Sequence, residues 1–234
     1  MEHLIVCKGL TKTYGKTQAL QDVNLEIPAG GGIVGLLGPN GSGKTTLIKL
    51  LTGLLTPSDG YVQVAGKEIG VETKAMVSYL SDFYSLIDGY TVSQELDYFQ
   101  DFFDDFDRVK AERMIAELGV PSKQKVKTLS KGTKEKLALI LTLSRNARLF
   151  VLDEPIAGVD PAARDYVLKA ILANKSERAT ILLSTHLISE IEQYFDHVIF
   201  LKEGRVALSG KTEEIRQREN KTIDELFREI FRWI

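Results

Sequence analysis

The stretch GPNGSGKTT, residues 38 to 46, combines small, flexible positions with one lysine and two hydroxyls, a set suited to holding phosphates. Gly38 and Gly43 supply the flexibility. Lys44 reaches toward β- and γ-phosphates, and Thr45 offers a hydroxyl to Mg²⁺, while Pro39, Asn40, Gly41, Ser42 and Thr46 complete the loop. An apolar run, Ile33 to Leu37, leads in, and a helix-like run, Leu47 to Leu55, leads out. A strand that opens into a helix leaves unpaired N–H groups at the positive end of the helix dipole, and such a place binds anions. A bare glycine-rich turn with a solvated lysine would not need that strand–loop–helix context. Further along, the apolar run LFVLDEP from Leu149 to Pro155 ends in two acids. With a phosphate loop in the same chain, Asp153 is assigned to the Mg²⁺ shell and Glu154 to the attacking water, as polariser or general base. The run ATILLS ends at Thr185-His186, so His186 is expected on the strand edge where ligands bind. At LSKGT, residues 129 to 133, Ser130 can cap a new helix and Gly132 keeps its first turn open, which makes a second place suited to phosphate.

The intervening segments must position these groups. Residues 4 to 27 alternate in two short segments, Leu4 to Leu10 and Val23 to Ile27, with the polar stretch TKTYGKTQ between them, a pattern of antiparallel sheet. Tyr14 is expected in that loop, where an aromatic face can stack on a purine or lie half-buried. From about Thr91 to Asn146 the period is helical, with Leu96, Phe99, Phe102, Phe103 and Phe106 on one stripe and acids around the remainder. Val109 to Leu118 continue helically and stop at Gly119, with Pro121 beyond. A lysine-rich stretch, including Lys123, Lys127, Lys131 and Lys136, brackets LSKGT. The run LFVLDEP is apolar throughout, so it belongs at the centre of a parallel sheet, and HVIFLKEGRVALSG reads as a hairpin about Glu203-Gly204. In TIDELFREIFRWI, Thr222 and Glu225 form a capping-box pattern before a helical apolar face. That face packs on its own domain, with a dimer, partner or membrane contact as alternatives.

At 234 residues, 44% hydrophobic, the chain can bury one sizeable α/β core. A formal net charge of −2 gives no global electrostatic case for nucleic acid. Cys7 is the only cysteine, which excludes an internal disulfide and suits a reducing compartment. No apolar stretch approaches the ~20 residues of a spanning helix, so direct membrane insertion is not expected.

GPNGSGKT, LSKGT, LFVLDEP, GVD from Gly158 to Asp160, and STH, in this order and over nearly the whole chain, resemble the ATP-binding cassette (ABC) ATPases, the nucleotide-binding subunits of ABC transporters. The subgroup most similar is that of small bacterial exporters. The resemblance implies a P-loop NTPase: an α/β, RecA-like core with an antiparallel β lobe and an α-helical insert. Residues 1–234 are then one ABC ATPase domain, with the insert at about 86–146 and a C-terminal amphipathic helix at about 222–234. It implies ATP and Mg²⁺, with Tyr14 stacking on adenine, His186 at the γ-phosphate, and Ser130, Lys131 and Gly132 presented to the ATP of a second protomer. Asp160 would lie in a loop crossing that dimer interface. Partners implied are a second ATPase subunit, as homodimer or heterodimer, and integral-membrane permease subunits, at the cytoplasmic face of the cell membrane. Hydrolysis would drive transport through those subunits; a regulatory or DNA-maintenance ATPase of the same superfamily is the competing class, and the chain shows neither a coiled-coil insertion nor a basic groove for it.

Two departures from the family pattern stand out. Asp82 aligns where the family usually has a metal-touching glutamine, and its shorter, charged side chain reaches Mg²⁺ through water. Lys131 and Thr133 replace the usual second glycine and glutamine of the signature. Lysine in a first helical turn opposes the dipole by ~0.3–1 kcal/mol, which a nearby triphosphate would more than offset.

Overall fold

The chain's computed structural model describes residues 3–30, 32–81, 86–156, 161–173 and 178–232. Asp82, Asp160 and Trp233 lie outside the described residues. Two strands open the chain, β1 (His3–Tyr14) and β2 (Thr17–Pro28), paired antiparallel. Both run through the polar stretch expected to separate shorter segments. The ladder continues to Tyr14 opposite Thr17, because strand pairing near a hairpin tip satisfies backbone groups without needing an apolar face. Next come β3 (Ile33–Leu37) and helix α1 (Lys44–Leu51), then β4 (Asp59–Val64) and the short β5 (Lys67–Glu68). Strands β2-β1-β4-β5 make the antiparallel lobe.

Helix α2 (Val71–Met76) and strand β6 (Val77–Leu80) precede a helical insert of α3 (Val92–Phe102), α4 (Arg108–Glu117) and α5 (Lys131–Leu143). The chain then forms β7 (Leu149–Asp153), α6 (Pro161–Ala173), β8 (Thr180–Ser184) and α7 (Ile188–Ile191). The hairpin of β9 (His197–Lys202) and β10 (Arg205–Lys211) turns at Glu203-Gly204, and α8 (Thr212–Glu219) and α9 (Ile223–Ile230) follow. The central sheet has the order β10-β9-β3-β8-β7-β6, with only the β10 edge antiparallel.

Alternation along the central strands divides the core in two. Val34, Leu36, Val151, Leu182 and Ile199 face α1 and the antiparallel lobe. Ile33, Leu37, Leu152, Leu183 and Phe200 face the helices of the insert and the C-terminal segment. Both faces are covered, as the uninterrupted apolar runs require.

The aromatic stripe expected through Phe106 is shorter as a helix. Helix α3 ends at Phe102, which is 67% exposed, and Phe103 is already extended. Arg145 draws the chain out of its helix: its guanidinium lies 3.9 Å from the centroid of the Phe103 ring, and its Nε donates to Asp105 at 2.7 Å. The same side chain donates to the carbonyls of Ala75 and Val77, so it joins the insert to the start of β6. At the other end of the chain, Thr222 and Glu225 form the capping box of α9. Its buried Ile223 and Leu226 belong to the core, and the rings of Phe227 and Phe231 lie 5.9 Å from Phe200.

Candidate nucleotide site

The phosphate-loop sequence bridges β3 and α1, and its glycines answer to close neighbours. A Cβ on Gly38 would come within 2.4 Å of the Leu201 carbonyl. Gly43 has φ +107°, and a Cβ there would lie 2.7 Å from the Ala19 carbonyl. The loop is also held from behind, since Gly204 N–H donates to the Ser42 carbonyl at 3.0 Å. The β9–β10 turn and β2 thus clasp the loop.

Among the described residues no side chain caps α1 at Gly43, so the N–H groups of its first turn are left for an external acceptor. Beside them opens a pocket of ≈ 320 Å³ lined by Asn40, Lys44, Thr45, Thr46, Asp153 and Glu154, among others. Among the described residues the buried Ser42 hydroxyl has no hydrogen-bond partner, and Ser42 does not line this pocket. Lys44 Nζ donates to the carbonyls of Gly38 at 2.6 Å and Pro39 at 3.1 Å, which fixes the ammonium over the loop. Burial lowers its pKa from the usual lysine range, and the charges of Glu154 and Asp153 partly offset this. An uncapped helix start with a cation beside it fits a polyphosphate.

The acids come from the adjacent strands. Asp153 ends β7 directly across from Ser184, which ends β8. The Ser184 hydroxyl donates to Asp153 Oδ1 at 2.5 Å and accepts from the Glu154 N–H at 3.0 Å. Asp153 is buried, and its carboxylate shares the pocket with the Thr45 hydroxyl, a pair of hard oxygen donors that fits Mg²⁺. Glu154 has φ +49°, a conformation that costs a non-glycine residue about 1–2 kcal/mol and turns the chain sharply out of β7. Its Oε2 lies 2.9 Å from His186 Nδ1. The structure therefore brings Lys44, Thr45, Asp153, Glu154 and His186 to the carboxyl edges of three adjacent strands, β3, β8 and β7.

The other sequence candidates stand elsewhere. Tyr14 ends strand β1 instead of lying in a loop; it is 45% exposed, with Lys12 Nζ 5.5 Å from its ring centroid. Ser130 caps α5 by accepting from Thr133 N–H at 3.2 Å. The side chain of Lys131 is 87% exposed, 4.0 Å from Glu135, and a Cβ on Gly132 would meet open space. Among the described residues, none from the start of α5 lines the pocket. Sequence reading missed Ser184 and Ala19, and it placed the Glu203-Gly204 turn without its contact to the phosphate loop. Ser184 had a signal, as the last residue of a buried strand beside Thr185-His186. Ala19 had none, because its part is played by a backbone carbonyl.

A phosphate loop at a strand–helix junction of a mainly parallel sheet, with acids ending a neighbouring strand, defines a P-loop NTPase. The ABC transporter family model matches residues 20–157. The lantibiotic transport ATP-binding protein SrtF of Streptococcus pyogenes is 31% identical over 96% of this chain and 96% of its own length. The Nod factor export ATP-binding protein I of Cupriavidus metallidurans is 30% identical over 94% of this chain and 75% of its own. A solved structure of the ATP-binding subunit of an ABC transporter superposes with TM-score 0.86 at 29% identity, covering 97% of this chain and 98% of that one. The chain belongs to the ABC transporter family, as an ATP-binding ATPase subunit.

Proposed function

We propose that this subunit dimerises around two Mg·ATP and drives export through separate integral-membrane subunits, working from the cytoplasmic face of the cell membrane. One observation carries the two-chain reading. Ser130, Lys131 and Gly132 form an open, exposed helix start that lines no part of the chain's own pocket, so a nucleotide held by a second copy is its natural occupant. The transport role of the lantibiotic relative and the export role of the Nod factor relative support transport, and the latter supports export. Among the described residues no helix is long and apolar enough to cross a membrane, which agrees with a passage supplied by other chains.

In this reading Lys44 and the first-turn amides of α1 hold the β- and γ-phosphates, and Tyr14 stacks on the base. Thr45 and Asp153 would hold Mg²⁺, which when bound neutralises charge on the β- and γ-phosphates. Ser184 fixes the Asp153 carboxylate and the Glu154 backbone. Glu154 takes the proton of the attacking water, and His186, paired to its carboxylate, orients it toward the γ-phosphate. Asp82 and Asp160 remain proposed for the metal shell and the dimer interface. Lys131 adds a cation to the partner's γ-phosphate.

The two-chain site is tested by comparing Lys44→Ala with Ser130→Ala. Lys44→Ala is expected to weaken ATP binding, whereas Ser130→Ala spares binding and impairs ATP-driven dimerisation and turnover. Equal loss of binding in both would sink the reading. Purification from solubilised membranes tests the partner: a stoichiometric multispanning protein supports transport, and a purely cytosolic pool bound to nucleic acid contradicts it.

A further inference from the structure

We infer that helix α9 is a strut between the segment that follows His186 and the back of the phosphate loop, with Glu192 and Phe231 as the positioning residues at its two ends. The first end is polar. Helix α7 begins two residues after His186, and the turn that follows it opens with Glu192, whose Oε2 accepts the Asp224 N–H at 3.0 Å in the first turn of α9. Arg216 holds the same residue from α8 by donating to the Glu192 carbonyl at 3.1 Å. Ile188 and Ile191 of α7 are buried in one apolar cluster with Ile223 and Leu226 of α9, so the two helices move together or separate at a cost.

The second end reaches the loop. Lys202 Nζ donates to the Ile230 carbonyl at 2.9 Å, which satisfies one of the last acceptors of α9. The Phe231 ring packs on Phe200, and Phe200 stands in register with Leu37, the residue just before Gly38. Phe231 and Arg232 also face Pro39 to Ser42 across a second cavity of ≈ 400 Å³, which shares Asn40 and Gly41 with the nucleotide pocket but none of its acids. An eight-residue helix spans about 12 Å, so α9 sets a fixed spacing between α7, which begins two residues after His186, and the strand that delivers the loop. Packed cores transmit such spacing because they do not deform continuously. This inference rests on reading the loop as the triphosphate cradle.

The experiment is steady-state Mg·ATP turnover of the full chain, with thermal unfolding midpoints measured beside it. Wild-type turnover, abolished by Lys44→Ala, tests the cradle reading by itself. Phe231→Ala is expected to raise KM for ATP about 5–10-fold with kcat held within about twofold, since it loosens ground-state phosphate binding. Glu192→Ala is expected to lower kcat about 5–10-fold with KM little changed, since it releases the His186 side. Phe231→Leu, which keeps apolar volume, and Glu192→Gln, which keeps an acceptor for the Asp224 N–H, should restore each parameter. The double alanine variant should lose less kcat/KM than the product of the two single losses, because part of each single loss is transmitted through the same helix. Lowered midpoints with unchanged kinetics, or strictly multiplicative losses, would overturn the proposal.

Discussion

Ser184 Oγ donates a hydrogen bond of 2.5 Å to Asp153 Oδ1 across adjacent parallel strands, in the register that sets the two residues side by side. The bond leaves the second carboxylate oxygen for the pocket, and the same hydroxyl accepts from the Glu154 N–H. One buried serine thus orients both acids. Outer-shell partners of metal-binding carboxylates are worth ~10–100-fold in affinity or activity, so Ser184→Ala should lower turnover by that factor and raise the Mg²⁺ concentration needed for half-maximal rate. Metal-dependence curves at saturating ATP would show it, and an unchanged curve would contradict the role.

Glu154→Gln keeps the shape of the side chain and its reach to His186 but removes the carboxylate proposed as base. Hydrolysis should fall by about 10²–10⁴-fold while ATP binding persists. Size-exclusion chromatography with light scattering should then find a stable dimer in ATP and a monomer without nucleotide. A variant that stays monomeric in ATP would remove the assignment of Glu154.

Lys44 carries a pKa lowered chiefly by burial, so the free protein loses this proton below the ordinary 10.5. The alkaline limb of kcat/KM, which reports the free enzyme, should fall at a pH below 10.5. Bound triphosphate restores the ammonium, so kcat should hold to higher pH. The stability sign is opposite to that of a lysine gaining a partner. Between the lowered value and 10.5 the unfolded chain binds the proton more than the folded one, so this group's contribution to stability rises with pH through that window. Parallel limbs in kcat and kcat/KM would contradict the assignment.

Arg145 is buried and spends its three nitrogens on Asp105 and the carbonyls of Ala75 and Val77. Removing one partner of a buried pair costs about 3–5 kcal/mol, and Arg145→Ala should destabilise by that amount in denaturant titrations. Arg145→Lys should recover only part, because a lysine cannot present the guanidinium fork. Loss near zero would show that the insert is not anchored there.

The sequence by itself determined the elements whose residue types leave no choice. The apolar run 149–153 had to be a central parallel strand, Ser130 and Thr222 had to start helices, and GPNGSGKTT had to join the strand at 33–37 to a helix. These are local decisions of burial, capping and glycine freedom, and they gave the P-loop core, the insert and most of the candidate nucleotide site. Local pattern carried too far elsewhere. The stripe through Phe106 kept a helical period after α3 had ended, because a distant arginine, Arg145, captures Phe103 and Asp105. The polar hairpin around Tyr14 read as a loop because paired backbone leaves no apolar trace. Only the tertiary structure decided that Ser184 would serve Asp153 and Glu154, since strand order and register set which strand ends meet. Only it decided that the Ala19 carbonyl and the Glu203-Gly204 turn would clasp the loop, because backbone atoms carry no residue signature. The loop's chemistry is written in nine consecutive residues, and its exact shape is imposed by neighbours far along the chain.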